Sequence, residues 1–168
     1  GEDALNGVIA RYVEATKFQS PPYTTSLELL DAIGPAVPAD RAYVLDDLFR
    51  TITLWDVAAR SATKERLEDG RWRVRLSVEA HKYRAGGQGA EEEVAMADLI
   101  DIGVFGAETE TSPPEGKVLL LEKRLVESGA GEIEVVVDEE PVRVGIDPFN
   151  KLIDRNPENN LTTAAAGA

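Results

Sequence analysis

The sequence predicts an α+β fold in which short N-terminal helices precede an antiparallel β-sandwich, and three observations carry the prediction. Through residues 1–50 apolar side chains recur at spacings of three and four, the stripe of helices packed by one side. From residue 51 the period falls to two, as on strands with one buried and one wet face. Asp69-Gly70, a strong two-residue hairpin signal, then joins the two longest alternating stretches.

Within the helical part, Leu5, Val8, Ile9, Tyr12, Val13 and Phe18 form the stripe of a first helix over residues 3–19. Ser20-Pro21-Pro22 breaks it, because proline removes a donor and pushes the preceding residue out of the α region. Thr24 or Thr25 caps a second helix, with Glu28 at capping-box spacing from Thr25 and Leu27, Leu30 and Ile33 as its stripe, and Gly34-Pro35 ends it. A third helix is predicted over residues 39–49, with Tyr43, Val44, Leu48 and Phe49 inward.

Residues 52–67 read as a long strand that opens with Ile52 and Leu54. Residues 71–84 alternate most cleanly: Trp72, Val74, Leu76, Val78 and Ala80 share one face, and the charges between them face water. A sheet with one wet face implies antiparallel pairing, since parallel sheets are covered on both sides. Residues 85–89 turn the chain into a strand over residues 91–105, kinked near Asp98. Residues 109–116 form a polar loop. Residues 117–126 hold Val118-Leu119-Leu120-Leu121, apolar on both faces, so this strand is expected to be central or covered. Residues 133–137 and 142–144 complete five or six strands, whose spacing of turns fits a small immunoglobulin-like sandwich over residues 51–160. The closing segment from Gly145 is dense in Asp, Asn and Pro, which build turns from side-chain bonds to the backbone, and residues 161–168 are expected to be a frayed tail.

The 168 residues, 43% hydrophobic and 29% charged, suit one globular domain or two small ones. A net charge of -13 disfavours nucleic acid and anionic membrane surfaces as partners. With no cysteine there is no disulfide, thiolate nucleophile or Cys-ligated zinc. No apolar run approaches the roughly 18 residues that a spanning helix needs, so direct membrane insertion is not expected. The chain begins at Gly1, and its only methionine is Met96, so an excised piece of a longer polypeptide is expected.

His81 is the only histidine and falls on the polar face; a catalytic zinc site or a serine triad needs more than one exposed imidazole can supply. Asp154-x-Asn156-x-Glu158 starts like a calcium loop but has Asn159 where the glycine belongs and Ala165 where the bidentate glutamate belongs. Gly86-Gly87-Gln88-Gly89 lacks the spacing of a phosphate cradle, and Glu91-Glu92-Glu93 reads as a solvated edge. Asp147, Asp154 and Arg155 stand out: an Asp before Pro bonds nearby amides and an arginine fork holds carbonyls or a carboxylate, so these three are read as stapling the tail to the sandwich or to a neighbouring domain, with ligand binding as the alternative.

Pro21-Pro22-Tyr23-Thr24, Asp46-Asp47-Leu48-Phe49-x-x-Ile52-Thr53-Leu54-Trp55-Asp56, Asp101-Ile102-Gly103-Val104-Phe105 and Gly145-Ile146-Asp147-Pro148-Phe149-Asn150-Lys151-Leu152-Ile153-Asp154-Arg155 lie in order along nearly the whole chain. Together they resemble the C-terminal region of bacterial zinc aminopeptidases of the aminopeptidase N family, of the kind fused to an ABC-transporter permease. The family's His-Glu-x-x-His helix, third zinc-ligating Glu and Gly-x-Met-Glu-Asn loop are absent here, so no catalytic or metal role carries over to any residue. The resemblance implies a non-catalytic accessory domain that packs against, or steers access to, the parent's own catalytic peptidase domain and contacts its peptide substrates. It implies zinc in that missing domain, and a membrane-anchored parent whose peptidase portion lies on the extracytoplasmic, periplasmic side of the inner membrane. Two other readings stay open. A binding module for a peptide or carbohydrate would present Trp55 or Tyr83 on a concave patch, and a stand-alone enzyme would hold His81 in a cleft beside a carboxylate.

Overall fold

The structure, a computed structural model, describes residues 2–167 and divides into two compact units between Ile52 and Thr53. The chain is mixed α+β, with a few short helices in the first unit and a curled sheet in the second.

In the first unit α1 (Glu2–Thr16) stops short of the predicted end, and Phe18 takes a left-handed backbone (φ 57°) before the two prolines. α2 (Ser26–Ile33) is held by the predicted capping box: Thr25 Oγ1 accepts the Glu28 N–H, and the Thr25 N–H donates to Glu28 Oε2 at 2.7 Å. Leu30 and Ile33 are buried, while Leu27 of the same stripe is exposed. The third predicted helix is instead three short pieces, a 3₁₀ turn Ala39–Arg41, a single α turn Tyr43–Leu45 and a π turn Asp46–Arg50. The π turn closes through Thr51 N–H to Asp46 O (2.9 Å), and that wider ring breaks the 3.6-residue phase on which Leu48 and Phe49 were placed inward. Both are exposed.

Among the described residues the second unit, with Ile52 before it, holds eight strands: β1 (Ile52–Arg66), β2 (Trp72–Ala85), β3 (Glu91–Val94), β4 (Ala97–Phe105), β5 (Val118–Glu127), β6 (Gly129–Val137), β7 (Arg143–Ile146) and β8 (Leu161–Ala166). They follow the order β3-β2-β1-β8-β7-β4-β5, with β6 also on β2. The curl comes from β2, whose residues Trp72 to Ala80 pair with β6 and whose Lys82 to Ala85 pair with β3. β3 is followed by β4 and β6 follows β5, and β4 and β5 pair with each other. Val57, Val74, Leu76, Val78, Ile100, Ile102, Val104, Val144 and Ile146 fill the interior.

The clean alternation of β2 does bury Val74, Leu76, Val78 and Ala80. On β1 the phase differs from the expected series: Thr53, Trp55 and Val57 are buried and Ile52 is exposed. The β1–β2 turn has three residues, not two. Gly70 N–H bonds Leu67 O (3.0 Å) and Leu67 N–H bonds Arg71 O (2.8 Å), so Gly70, at φ 90°, fills the left-handed position that follows a type I turn. The kink falls at Ala95-Met96, two residues ahead of Asp98.

Three expectations are corrected. β5 ends the sheet order instead of lying at its centre, and it leaves Val118, Leu121 and Leu125 exposed. Residues 161–166 are not a frayed tail but β8, which stands between β1 and β7. Its pairing with β1 is parallel, so the sheet is not wholly antiparallel. Periodicity could not show β8, because small Ala and Thr side chains carry little apolar contrast; backbone pairing places this strand.

Candidate functional site

The three residues singled out in the closing segment each grip a different part of the sheet. Asp147 is buried in a left-handed turn (φ 43°), a conformation that Asp tolerates because its carboxylate can bond locally. Its Oδ1 accepts the Lys151 N–H (3.0 Å), its Oδ2 accepts the Leu152 N–H (2.9 Å), and its own N–H donates to Asp101 O on β4 (2.7 Å). Asp154 forms a parallel bridge with Trp55 of β1, through Trp55 N–H to Ile153 O (3.0 Å) and Arg155 N–H to Trp55 O (2.9 Å). Its Oδ1 accepts the Asn156 N–H (2.9 Å), and its buried Oδ2 has no hydrogen-bond partner. Arg155 lays its guanidinium 4.2 Å from the ring centre of Tyr83 and pairs with the Glu91 carboxylate. Asp147, Asp154 and Arg155 thus tie residues 147–155 to β4, β1 and the β2–β3 corner respectively.

The electrostatics of this clamp pull in two directions. Burial raises the pKa of Asp147 above the usual carboxylate value; the Leu152 and Lys151 amides oppose this, while the nearby Asp101 and Asp154 charges add to it. Burial also pushes Asp101 up, but Lys123 Nζ (2.8 Å) and Lys151 Nζ (2.6 Å) outweigh it and hold Asp101 below its usual value. The signs follow. Asp101 contributes stability that is present above its ordinary pKa and lost as pH falls through its lowered one. The contribution of Asp147 is present below its ordinary pKa and lost as pH rises through its raised one.

A second cluster lies where β2 changes partner from β6 to β3. Lys82, 4% exposed, places Nζ 3.2 Å from Oδ1 and 3.0 Å from Oδ2 of Asp98, itself 6% exposed. Trp55 Nε1–H donates to the same Oδ2 at 2.9 Å, and Lys82 Nζ stands 5.4 Å from the centre of the Trp55 ring. The sequence held a signal for this site. Lys82 is the next even position after Trp72, Val74, Leu76, Val78 and Ala80, so the alternation itself aims an ammonium group inward, and a buried charge needs a partner.

His81 lies beside carboxylates, on the face of β2. Its Nδ1 is 2.6 Å from Glu93 Oε1 and its Nε2 is 3.4 Å from Glu79 Oε1, with Glu79 also paired to Arg60. Hydrogen bonds to Glu93 and then Glu79 raise its pKa above the ordinary 6.5. The stabilisation it gives is therefore present below the ordinary value and lost as pH rises through the raised one. A titration of the ring protons by NMR should give a midpoint above 6.5 that falls when Glu93 is changed to Gln; a midpoint at or below 6.5 would contradict the pairing.

Both rings of interest to a binding module are engaged within the chain: Trp55 is buried, and Tyr83 lies under Arg155. Among the described residues no group of three or more His, Asp or Glu is arranged to hold a metal ion. No described helix is long and apolar enough to cross a membrane. Compared with known proteins, the chain matches no family model, no curated protein and no solved structure.

Proposed function

We propose that this chain is a non-catalytic C-terminal accessory module of a zinc aminopeptidase-like protein of the aminopeptidase N family, one whose peptidase is anchored by a fused ABC-transporter permease and faces the periplasm. In this reading the curled sheet serves as an immunoglobulin-like β-sandwich, the zinc belongs to the separate peptidase domain, and the module packs on that domain or steers peptides toward it. The observation that carries the reading is the apolar surface of the first unit. Val13 (55%), Phe18 (97%), Tyr23 (69%), Leu27 (67%) and Phe49 (51%) all stand in solvent, large apolar side chains that a packing partner would cover.

The test has two arms. The chain alone, with zinc and an aminoacyl-anilide, should show no turnover, and clear hydrolysis would overturn the proposal. Added to a permease-fused aminopeptidase of this family that lacks its own C-terminal region, the chain should bind; Phe18→Asp should weaken binding by about tenfold or more, as losing one buried aromatic contact at an interface does. Absence of binding by the unaltered chain would also overturn it.

A further inference from the structure

We infer that β5 is a homodimerisation edge: two copies of this chain pair their β5 strands antiparallel about a two-fold axis at Lys123, joining two curled sheets into one. The inference goes beyond the proposed accessory role and does not depend on it.

β5 is ten residues long, contains no proline, ends the sheet order, and among the described residues pairs along one side only, with β4. Its other side is a row of backbone donors and acceptors of the kind that adds another strand. Leu121 and Leu125 are 42% and 61% exposed, on the same face of the ladder as Lys123.

The sequence of the strand argues for a second copy as the occupant. In an antiparallel self-pairing, residues directly opposite share a face, so the axis must pass through a residue. With Lys123 at the axis, Leu121 meets Leu125 of the other copy and Glu122 meets Arg124, each twice by symmetry. Moving the axis to Glu122 or Arg124 sets like charges opposite one another and puts Lys123 against a leucine. The one like-charge meeting in the favoured register is Lys123 with itself. That ammonium is drawn away from the edge toward β4, where its Nζ is 2.8 Å from Asp101 Oδ1, a carboxylate it shares with Lys151. Glu122 and Arg124 pair within one chain at 2.5 Å, so in the dimer they make a four-charge network across the axis without any rotamer reaching into the core.

A joint of one strand per copy falls short of the roughly 800 Å² per partner of a standard stable interface, so a dissociation constant of about 10–100 μM is expected. Sedimentation equilibrium up to about 0.5 mM should show the mass rising from 18.2 kDa toward twice that value. Glu122→Arg and Arg124→Glu should each raise the dissociation constant by about tenfold, and the exchanged double variant should restore it to within about threefold of the original. Leu125→Asp should leave only monomer, with the melting temperature of the monomer unchanged because the side chain is exposed. A single-chain mass at every concentration overturns the inference. So does a dimer that ignores these substitutions or one that the exchange does not rescue.

Discussion

Asp98→Ala is expected to cost the second unit about 3–5 kcal/mol, read as a fall in the urea midpoint at pH 7 followed by tryptophan fluorescence. The change takes from the buried ammonium of Lys82 the carboxylate that faces it and removes the acceptor of Trp55 Nε1–H at the same stroke. An exposed ion pair broken in the same way costs about 1 kcal/mol or less, so the size of the effect separates a desolvated pair from a surface one. Removing both charges together should be far milder. The double variant Lys82→Met with Asp98→Leu buries no charge at this corner and takes the acceptor from the indole N–H, for about 1–3 kcal/mol. If Asp98→Ala alone cost under about 1 kcal/mol, the corner would not be held by this pair. Its position explains the leverage: Lys82 lies where β2 changes partner from β6 to β3, and Asp98 is the second residue of the strand that turns away there.

Gly145→Ala should be nearly as damaging, at about 3 kcal/mol, through space and not through backbone conformation. A Cβ at Gly145 would lie 2.2 Å from the backbone O of Asn160 and 2.7 Å from Leu161 Cδ2. That oxygen cannot retreat without stretching the Ile146 N–H bond to it (3.0 Å) and parting Gly145 from Leu161, its partner across β7 and β8. Gly131→Ala is the matched control. Its Cβ would meet Val78 Cγ2 at an ordinary 3.5 Å, so thermal unfolding of the two variants should differ by many degrees. Equal melting points would show that β7 and β8 do not approach so closely.

Much of this architecture was legible because local chemistry and long-range packing agreed. Thr25 and Glu28 made their capping box, and the β2 series from Trp72 to Ala80 announced its face. Asp147 accepts backbone amides, as an Asp before Pro in a turn was expected to do. What escaped were features decided elsewhere in space. The leucines of β5 read as a covered strand, yet which strand ends a sheet is set by topology and not by its own residues. Asp101 looked like one acid among many and proves to be the shared partner of Lys123 and Lys151, 22 and 50 positions away. The π turn at Asp46–Arg50 had no marker at all, since its residues suit an α-helix equally well.

β8 is eighth along the chain but fourth in the sheet, and it is the strand through which β1 and β7 are joined. Synthesis runs from the N-terminus, so two half-sheets emerge from the ribosome before the piece that unites them exists. Until Leu161–Ala166 arrives, the facing margins of β1 and β7 wait unzipped, each a template for any extended segment nearby. The ladder that unites the two halves is thus the last of this unit's ladders to have both of its strands synthesised.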